Sequence, residues 1–168
     1  MKMMGGPVDG CAAYTAQIDD GFFYAIGWEI GNSGPVRIRK DSDPHYEAPI
    51  LDSCFFGHYS DRGKDCDAIV LQGAQNVMIR GFQFGGGEKA GAYNAIRIED
   101  DGGCAAQDII IAENNFFSMP NTFKYAVELL GSTRQVQIYG NNFHNGCKKG
   151  IDNASGNIGG EIAHNIGP

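Results

Sequence analysis

A short motif that recurs along the second half of the chain constrains the fold more than any other feature of the sequence. Three copies align without gaps, and each has apolar residues at alternate positions before a final phenylalanine. The copies are Asn76–Phe84, Asp108–Phe116 and Gln135–Phe143, with a degraded fourth at Glu161–Ile166. The first three begin 108 − 76 = 32 and 135 − 108 = 27 residues apart. Because this alternation is typical of β-strands, each copy is predicted to be a strand.

A second alternating segment separates successive copies of the first. It occurs at Ala68–Gly73, Ala95–Asp100, Ala126–Gly131 and Gly150–Ser155. Two short strands per repeat, joined by loops of variable length, are typical of a coil that gains one turn with each repeat. Helical repeats would space their apolar residues by about 3.6, and a propeller blade needs about 40 residues. We therefore predict an all-β fold, a right-handed single-stranded parallel β-helix (a solenoid) of about five coils.

The alternation also predicts which side chains stack inside the coil. We expect three inward columns, formed by Val77, Ile109 and Val136, by Ile79, Ile111 and Ile138, and by Phe84, Phe116 and Phe143. Asn114, Asn141 and Asn165 fall in register at the following corner. Asparagine there is predicted to adopt the left-handed αL conformation while its amide bonds the same amide one coil away, as an asparagine ladder. Phe82 takes this position in the first copy, so that corner is predicted to pack rather than bond.

Over roughly residues 35–166 the sequence resembles the parallel β-helix repeat family, whose unit reads V-x-I-x-x-N-x-F. Upstream, Gly34–Arg39 and Glu47–Asp52 look like the first coils of polysaccharide lyases of the pectate lyase-like superfamily. In those proteins segments of this kind precede a strand that is similar to Ile79–Phe84. This resemblance implies a carbohydrate-related protein of the polysaccharide (uronate) lyase or glycosidase kind. It extends to no catalytic motif, so candidate site residues come from the predicted faces of the coil.

The length predicts one domain over 1–168, with an N-terminal cap segment over 1–34 and coils over 35–168. A short helix from Asp9 to Asp20, with Asp9 as its N-cap, is predicted to cover the open end of the solenoid. The last rung has no predicted cap. Either Pro168 blunts it or a second copy of the protein covers it, which would make the protein a homo-oligomer.

Composition excludes several classes of partner and site. The formal charge of −7 and the pI near 4.9 argue against nucleic acid, and no apolar run reaches the roughly 18 residues that span a bilayer. The start, Met1–Pro7, has no apolar stretch and is not a secretory signal, so the chain is either cytoplasmic or a secreted protein without its signal. None of the five cysteines forms a CxxC pair, which argues against structural zinc.

One outward column of the second strand family carries the main candidate site. Arg97, Glu128 and Asp152 are predicted to be neighbours there, with Glu99 beside them. Two carboxylates one rung apart raise each other's pKa or hold a cation, and an arginine grips a substrate carboxylate with paired donors. We therefore name Arg97, Glu128 and Asp152 as candidate catalytic residues and Glu99 as a candidate substrate-binding residue. The alternative is a solvated face on which Arg97 and Glu128 form an ordinary cross-strand pair.

Loops and the other face supply the remaining candidates. His144 and Lys149 are candidate catalytic bases, because the resemblance to lyases implies a base near a neutralised carboxylate. Asp100 and Asp101 lie in the densest acidic turn and are candidate Ca²⁺ ligands, the alternative being an exposed acidic turn. Arg80 and Tyr139 point outward in one line and are candidate substrate-binding residues, since aromatic faces stack on sugar rings.

Two classes of function follow from these candidates. One is an enzyme that acts on a polysaccharide, lyase-like or glycosidase-like, with Ca²⁺ as its cofactor. The other is a non-catalytic β-helix that binds a glycan or serves as a structural or assembly module, which the small number of coils favours. The sequence alone leaves the choice between enzyme and binding module open.

Overall fold

The structure is a computed structural model that describes residues 2–9, 16–19, 24–31, 36–39, 49–57, 67–86, 93–118, 123–143 and 147–167. Within these ranges every regular element is a β-strand. The strands are β1 (Lys2–Asp9), β2 (Ala16–Asp19), β3 (Tyr24–Gly31), β4 (Val36–Arg39), β5 (Ile50–Asp52), β6 (Phe55–Gly57), β7 (Ile69–Gln72), β8 (Met78–Arg80), β9 (Gln83–Gly86), β10 (Ile96–Glu99), β11 (Ala106–Ala112), β12 (Asn115–Ser118), β13 (Phe123–Leu129), β14 (Thr133–Tyr139), β15 (Cys147–Asn153) and β16 (Glu161–Ala163).

These strands form three faces, each made of parallel neighbours from successive turns. Face 1 contains β2, β4, β7, β10, β13 and β15, in that order. Face 2 contains β5, β8, β11, β14 and β16, and face 3 contains β6, β9 and β12. The long strand β3 joins faces 2 and 3, since its first half pairs with β5 and its second half with β6. The predicted all-β parallel solenoid is confirmed, with about four turns.

The predicted N-terminal helix is wrong where the structure describes it. Asp9 ends strand β1, and Ala16–Asp19 is strand β2, in parallel register with Val36–Arg39 of β4. The alternation of Ala16 and Ile18 matches that of the next rung, so the segment gains a full ladder of hydrogen bonds as a strand. A helix of this length has little stability of its own. Residues 10–15 and 20 lie outside the described ranges.

The inward columns pack as the alternation predicts. Ile79, Ile111 and Ile138 follow one another in register and are fully buried. The phenylalanine column is also present, with ring centroids 4.6 Å apart for Phe84 and Phe116. Phe82 stacks on Phe84 at 4.4 Å and so packs at its corner, as predicted. Each such ring contributes about 1.5–3 kcal/mol of burial free energy to the core.

A column of left-handed residues makes the corner between faces 2 and 3. It consists of Ser53, Gly81, Glu113, Gly140 and His164, whose φ angles lie between 52° and 65°. Each immediately precedes the ladder position of its turn. The prediction that the asparagine itself adopts αL is therefore wrong by one residue. The sharp bend has to be completed before the ladder position, because the following amide must already point into the core.

The asparagine ladder is present and joins the last three turns, through Asn114, Asn141 and Asn165. Asn114 Oδ1 accepts a hydrogen bond from the Phe82 backbone N–H at 2.9 Å. Asn141 Oδ1 accepts from both the backbone N–H and the Nδ2 of Asn114, at 3.0 and 2.9 Å. Asn165 Oδ1 accepts the same two bonds from Asn141, at 3.0 and 2.9 Å. Since Asn114 and Asn141 are buried, these bonds satisfy polar groups that would otherwise destabilise the corner.

Replacing the central ladder residue tests this role. The substitution Asn141→Ala removes the acceptor of Asn114 and leaves buried backbone groups such as the Ile111 carbonyl without their donor. We expect a loss of about 3 kcal/mol in the free energy of unfolding, measured by urea denaturation. The exposed Gln137→Ala on the same turn is the control, with a change below about 0.5 kcal/mol. Equal stability of the two variants would contradict a structural ladder.

Candidate functional site

Face 1 brings the predicted catalytic column together. Arg97 lies beside Glu128, and Glu128 beside Asp152, on the adjacent strands β10, β13 and β15. Arg97 does not form its ion pairs with Glu128, however. Its Nη1 lies 2.9 Å from Asp67 Oδ2, and its Nε lies 3.3 Å from Glu99 Oε2 without the alignment of a hydrogen bond. The predicted neighbours are thus in place, but Arg97 and Glu128 have other side-chain partners.

Glu128 is buried, although it occupies an outward position. Its Oε2 accepts a hydrogen bond from Asn94 Nδ2 at 2.8 Å, and its Oε1 lies 3.6 Å from Lys124 Nζ. The backbone N–H of Asn94 in turn donates to Asp67 Oδ1 at 2.8 Å. The alternative of a solvated face therefore does not hold at Glu128, and its catalytic role stays a prediction.

These contacts form one continuous network, which we call the polar chain. Its members are Glu99, Arg97, Asp67, Asn94, Glu128 and Lys124. It crosses three turns of the solenoid and sets three carboxylates against two cations. A buried network of this kind fixes its side chains in one arrangement only when its polar groups are satisfied. Among the described residues, Asn94 Oδ1 and Arg97 Nε are buried without a hydrogen-bond partner.

Three members of the polar chain were missed by sequence reasoning. Asp67 and Asn94 stand at the same place, directly before the Ala-Ile that opens a face 1 strand, and Lys124 lies four residues before Glu128. The signal was available, because a polar residue precedes a small residue at the same position of every face 1 repeat from Asp67 onward. The alternation rule does not use that position, since it considers only which side chains point inward or outward.

Beside the polar chain lies a small cationic and aromatic cluster, which we call the Tyr125 patch. Lys124 Nζ lies 4.6 Å from the centroid of the half-buried Tyr125 ring, and Lys149 Nζ lies 6.0 Å from it. Tyr125 and Lys149 are register partners on β13 and β15. An ammonium group within about 6 Å of a ring face is attracted to it. The candidate base Lys149 therefore belongs to this site, whereas His144 lies outside the described residues.

The two candidate Ca²⁺ ligands lie in a tight turn at the end of β10. Asp101 and Cys104 exchange backbone hydrogen bonds of 3.0 and 3.3 Å around Gly102 and Gly103. The Asp100 carboxylate rests against Gly131 of the next turn, in space that a side chain there would fill. The described ranges contain no group of three or more His, Cys, Asp or Glu side chains that could share a metal ion. Calcium binding stays a prediction.

Arg80 and Tyr139 lie on face 2, away from the polar chain. They share one outward column with Ala112 between them, as predicted. Arg80 is paired with Asp52 of the preceding turn, with Nη2 and Nε at 2.7 and 3.1 Å from Oδ2. The Arg80 hydrogen bond holds the pKa of Asp52 below its ordinary value. Face 2 also carries an open groove of about 400 Å³ along the column of Met78, Ile110 and Gln137.

Two buried thiols among the described residues are not suited to nucleophilic chemistry. Burial raises the pKa of Cys147 to about 12, and it raises the pKa of Cys54 as well. Both cysteines are free and belong to the core. At neutral pH they are therefore protonated and act as small apolar side chains.

Comparison with known proteins adds no family. The chain matches no protein-family model, no curated protein and no solved structure. The likeness of its first coils to polysaccharide lyases is thus without support from a family match. Within the residues that the structure describes, there is no helix long and apolar enough to cross a membrane.

Removing one carboxylate tests whether the polar chain is structural. Asp67→Ala deprives both Arg97 and the buried N–H of Asn94 of this acceptor. We expect a loss of about 2 kcal/mol in the free energy of unfolding, less than for a fully buried pair because Arg97 is a third exposed. Asp152→Ala on the same face is the control and should change stability by less than about 0.5 kcal/mol. If urea denaturation shows the same loss in the free energy of unfolding for both variants, the polar chain has no structural role at Asp67.

The Asp52–Arg80 pair predicts a pH dependence. A carboxyl whose pKa is lowered by folding stabilises the protein above its ordinary pKa of 3.8, and this stability is lost as pH falls through the lowered value. Asp52→Asn should therefore cost about 0.5 kcal/mol at neutral pH, where the half-exposed Arg80 limits the effect. The cost should vanish in acid, and it should also vanish in an Arg80→Ala background. A cost that persists in acid would exclude the ion pair as its cause.

Proposed function

We propose that the protein binds an acidic polysaccharide, such as a polymer of uronate residues, across face 1. The observation that carries this proposal is the Tyr125 patch, in which an aromatic ring is flanked by two ammonium groups on adjacent parallel strands. Aromatic rings stack on the apolar faces of sugars, and ammonium groups pair with sugar carboxylates. The two chemistries together fit a charged sugar better than a neutral one.

The charge distribution supports an anionic ligand at this place. The protein carries a net charge of −7, so a polyanion is repelled by most of its surface. Exposed lysines at 124, 148 and 149 nevertheless occupy two neighbouring strands. At physiological salt a charge acts over about 8 Å, so a local cluster can attract a ligand that the whole protein repels.

The polar chain also supports this proposal, because it limits where the Lys124 ammonium group lies. Lys124 Nζ lies 3.6 Å from Glu128 Oε1, and the Glu128 carboxylate accepts a hydrogen bond from Asn94. A side chain that is already restricted loses less conformational entropy on binding than a free one. Strand spacing of about 4.8 Å gives neighbouring turns equivalent places along the sheet.

A uronate lyase is the second candidate, favoured by the register of Glu128 with Asp152 and of Tyr125 with Lys149. In this scheme Asp100 and Asp101 would hold Ca²⁺, which would supply positive charge for the uronate carboxylate. Lys149 or His144 would be the base that takes the proton from C5. The bond from C4 to the glycosidic oxygen breaks, a C4–C5 double bond forms, and the leaving oxygen takes up a proton.

Binding measurements test the proposal. Titration calorimetry with polygalacturonate is expected to show an interaction that weakens with salt and is lost with a neutral glucan. Tyr125→Ala should weaken it about tenfold and Lys149→Ala about fivefold. The matched control is Arg134→Ala, an exposed cation on face 2, which should leave it unchanged. Equal losses for all three variants, or equal binding of the neutral glucan, would overturn the proposal.

A separate assay distinguishes binding from catalysis. A lyase converts the polymer to a product with a new carbon–carbon double bond, which absorbs in the ultraviolet. The second candidate predicts this signal with Ca²⁺ and its loss in the Arg97→Ala/Glu128→Ala double variant. Binding of polyuronate without any such product, with or without Ca²⁺, would leave a non-catalytic glycan-binding solenoid.

A further inference from the structure

The Tyr125 patch lies in a region of face 1 that has no net charge. Strands β10, β13 and β15, together with Asp67 beside them, carry four cationic and four anionic side chains. The cations are Arg97, Lys124, Lys148 and Lys149, and the anions are Asp67, Glu99, Glu128 and Asp152. A polymer with a carboxylate on every sugar therefore meets as many repulsive charges here as attractive ones.

Two of the four cations are already paired within the polar chain. Arg97 Nη1 lies 2.9 Å from Asp67 Oδ2, and Lys124 Nζ lies 3.6 Å from Glu128 Oε1. In the part of the chain that the structure describes, neither lysine of β15 forms an ion pair. Lys149 therefore brings to the Tyr125 ring, 6.0 Å from its centroid, a positive charge that a ligand carboxylate can neutralise.

Asp152 is an uncompensated anion on the same strand. It lies three residues after Lys149 on β15, about 10 Å away at the rise of a β-strand, and it is half-buried. It is the register partner of Glu128, and no cation among the described residues forms an ion pair with it. The column of Glu128 and Asp152 thus places negative charge beside the lysine that is open to a ligand.

We propose that the Tyr125 patch selects acidic polysaccharides whose carboxylates are separated by uncharged sugars, with Asp152 as a specificity-determining residue. This selectivity rests on the proposed function, the binding of an acidic polysaccharide at the same patch. Lys149 pairs with one sugar carboxylate, Tyr125 stacks on the sugar ring, and Asp152 repels a second carboxylate nearby. A repulsive element of this kind lets a site discriminate between ligands that share the same attractive contacts.

Titration calorimetry with two galacturonate polymers of equal chain length tests this selectivity. One polymer is fully ionised, and the other has half of its carboxylates converted to methyl esters. At about 10 mM salt the screening length is about 30 Å, so the charge of Asp152 acts on a ligand carboxylate about 10 Å away. The protein is expected to bind the half-esterified polymer about threefold more tightly than the fully ionised one.

Removing the charge of Asp152 should remove most of this preference. Asp152→Asn is expected to strengthen binding of the fully ionised polymer about threefold and to change binding of the half-esterified polymer less. Asp108→Asn is the matched control, because it removes one carboxylate from face 2 and asparagine tolerates the left-handed backbone of Asp108. This control should leave the ratio of the two affinities unchanged. The methyl groups contribute equally in every variant, so they do not account for a change in that ratio.

The outcomes separate this selectivity from the proposed function. Tighter binding of the fully ionised polymer would overturn the selectivity, as would a ratio of affinities that Asp152→Asn leaves unchanged or that Asp108→Asn changes as much. In each of these cases the proposed function stands if Tyr125→Ala still weakens binding of both polymers. Binding of neither polymer would overturn the proposed function and the selectivity together. Circular dichroism verifies that every variant is folded.

Discussion

In-register stacking of parallel rungs is the constraint on which the rest of this structure depends. Each turn contains the same elements in the same order: a strand, a residue with a left-handed backbone conformation, and a residue that either joins the asparagine ladder or packs in the core. The bonds from Asn114 to Asn141 and on to Asn165 tie three turns at one corner. Because a slip of one residue would turn the core columns outward, this corner fixes the register of every face.

The same constraint creates the candidate site. Residues at the same position of successive repeats stack in a column. Side chains of neighbouring columns lie close enough to contact one another and can form a network. Asp67, Asn94 and Tyr125 occupy equivalent register positions on successive turns of face 1, and so the polar chain and the Tyr125 patch share one surface. Regular stacking then places the strands that carry the two lysines beside Tyr125 next to each other, and the proposed recognition of an acidic glycan depends on this arrangement.

Sequence patterns were sufficient to predict the features that recur in every repeat. They were insufficient to predict which partner an individual side chain binds. The inward columns, the ladder asparagines and the adjacency of Arg97, Glu128 and Asp152 all follow from alternation and period. Alternation does not say which of several nearby acids an arginine will choose, and so the Asp67 partner was missed. A local capping signal likewise predicted a helix after Asp9, although strand pairing with the next rung is stronger. The sequence did not predict the left-handed residues at this corner, because they share a backbone φ angle rather than a side-chain type.

Amide hydrogen exchange measured residue by residue tests the stacked corner most directly. The backbone N–H groups of Phe82, Asn114 and Asn141 bond to ladder side chains, so their exchange requires opening of the rungs. They should exchange as slowly as the amide of a strand residue such as Ile110, whose N–H donates to the Val77 carbonyl of the preceding turn. Exchange of the three amides as fast as that of the exposed turn glycine Gly102 would contradict an in-register ladder.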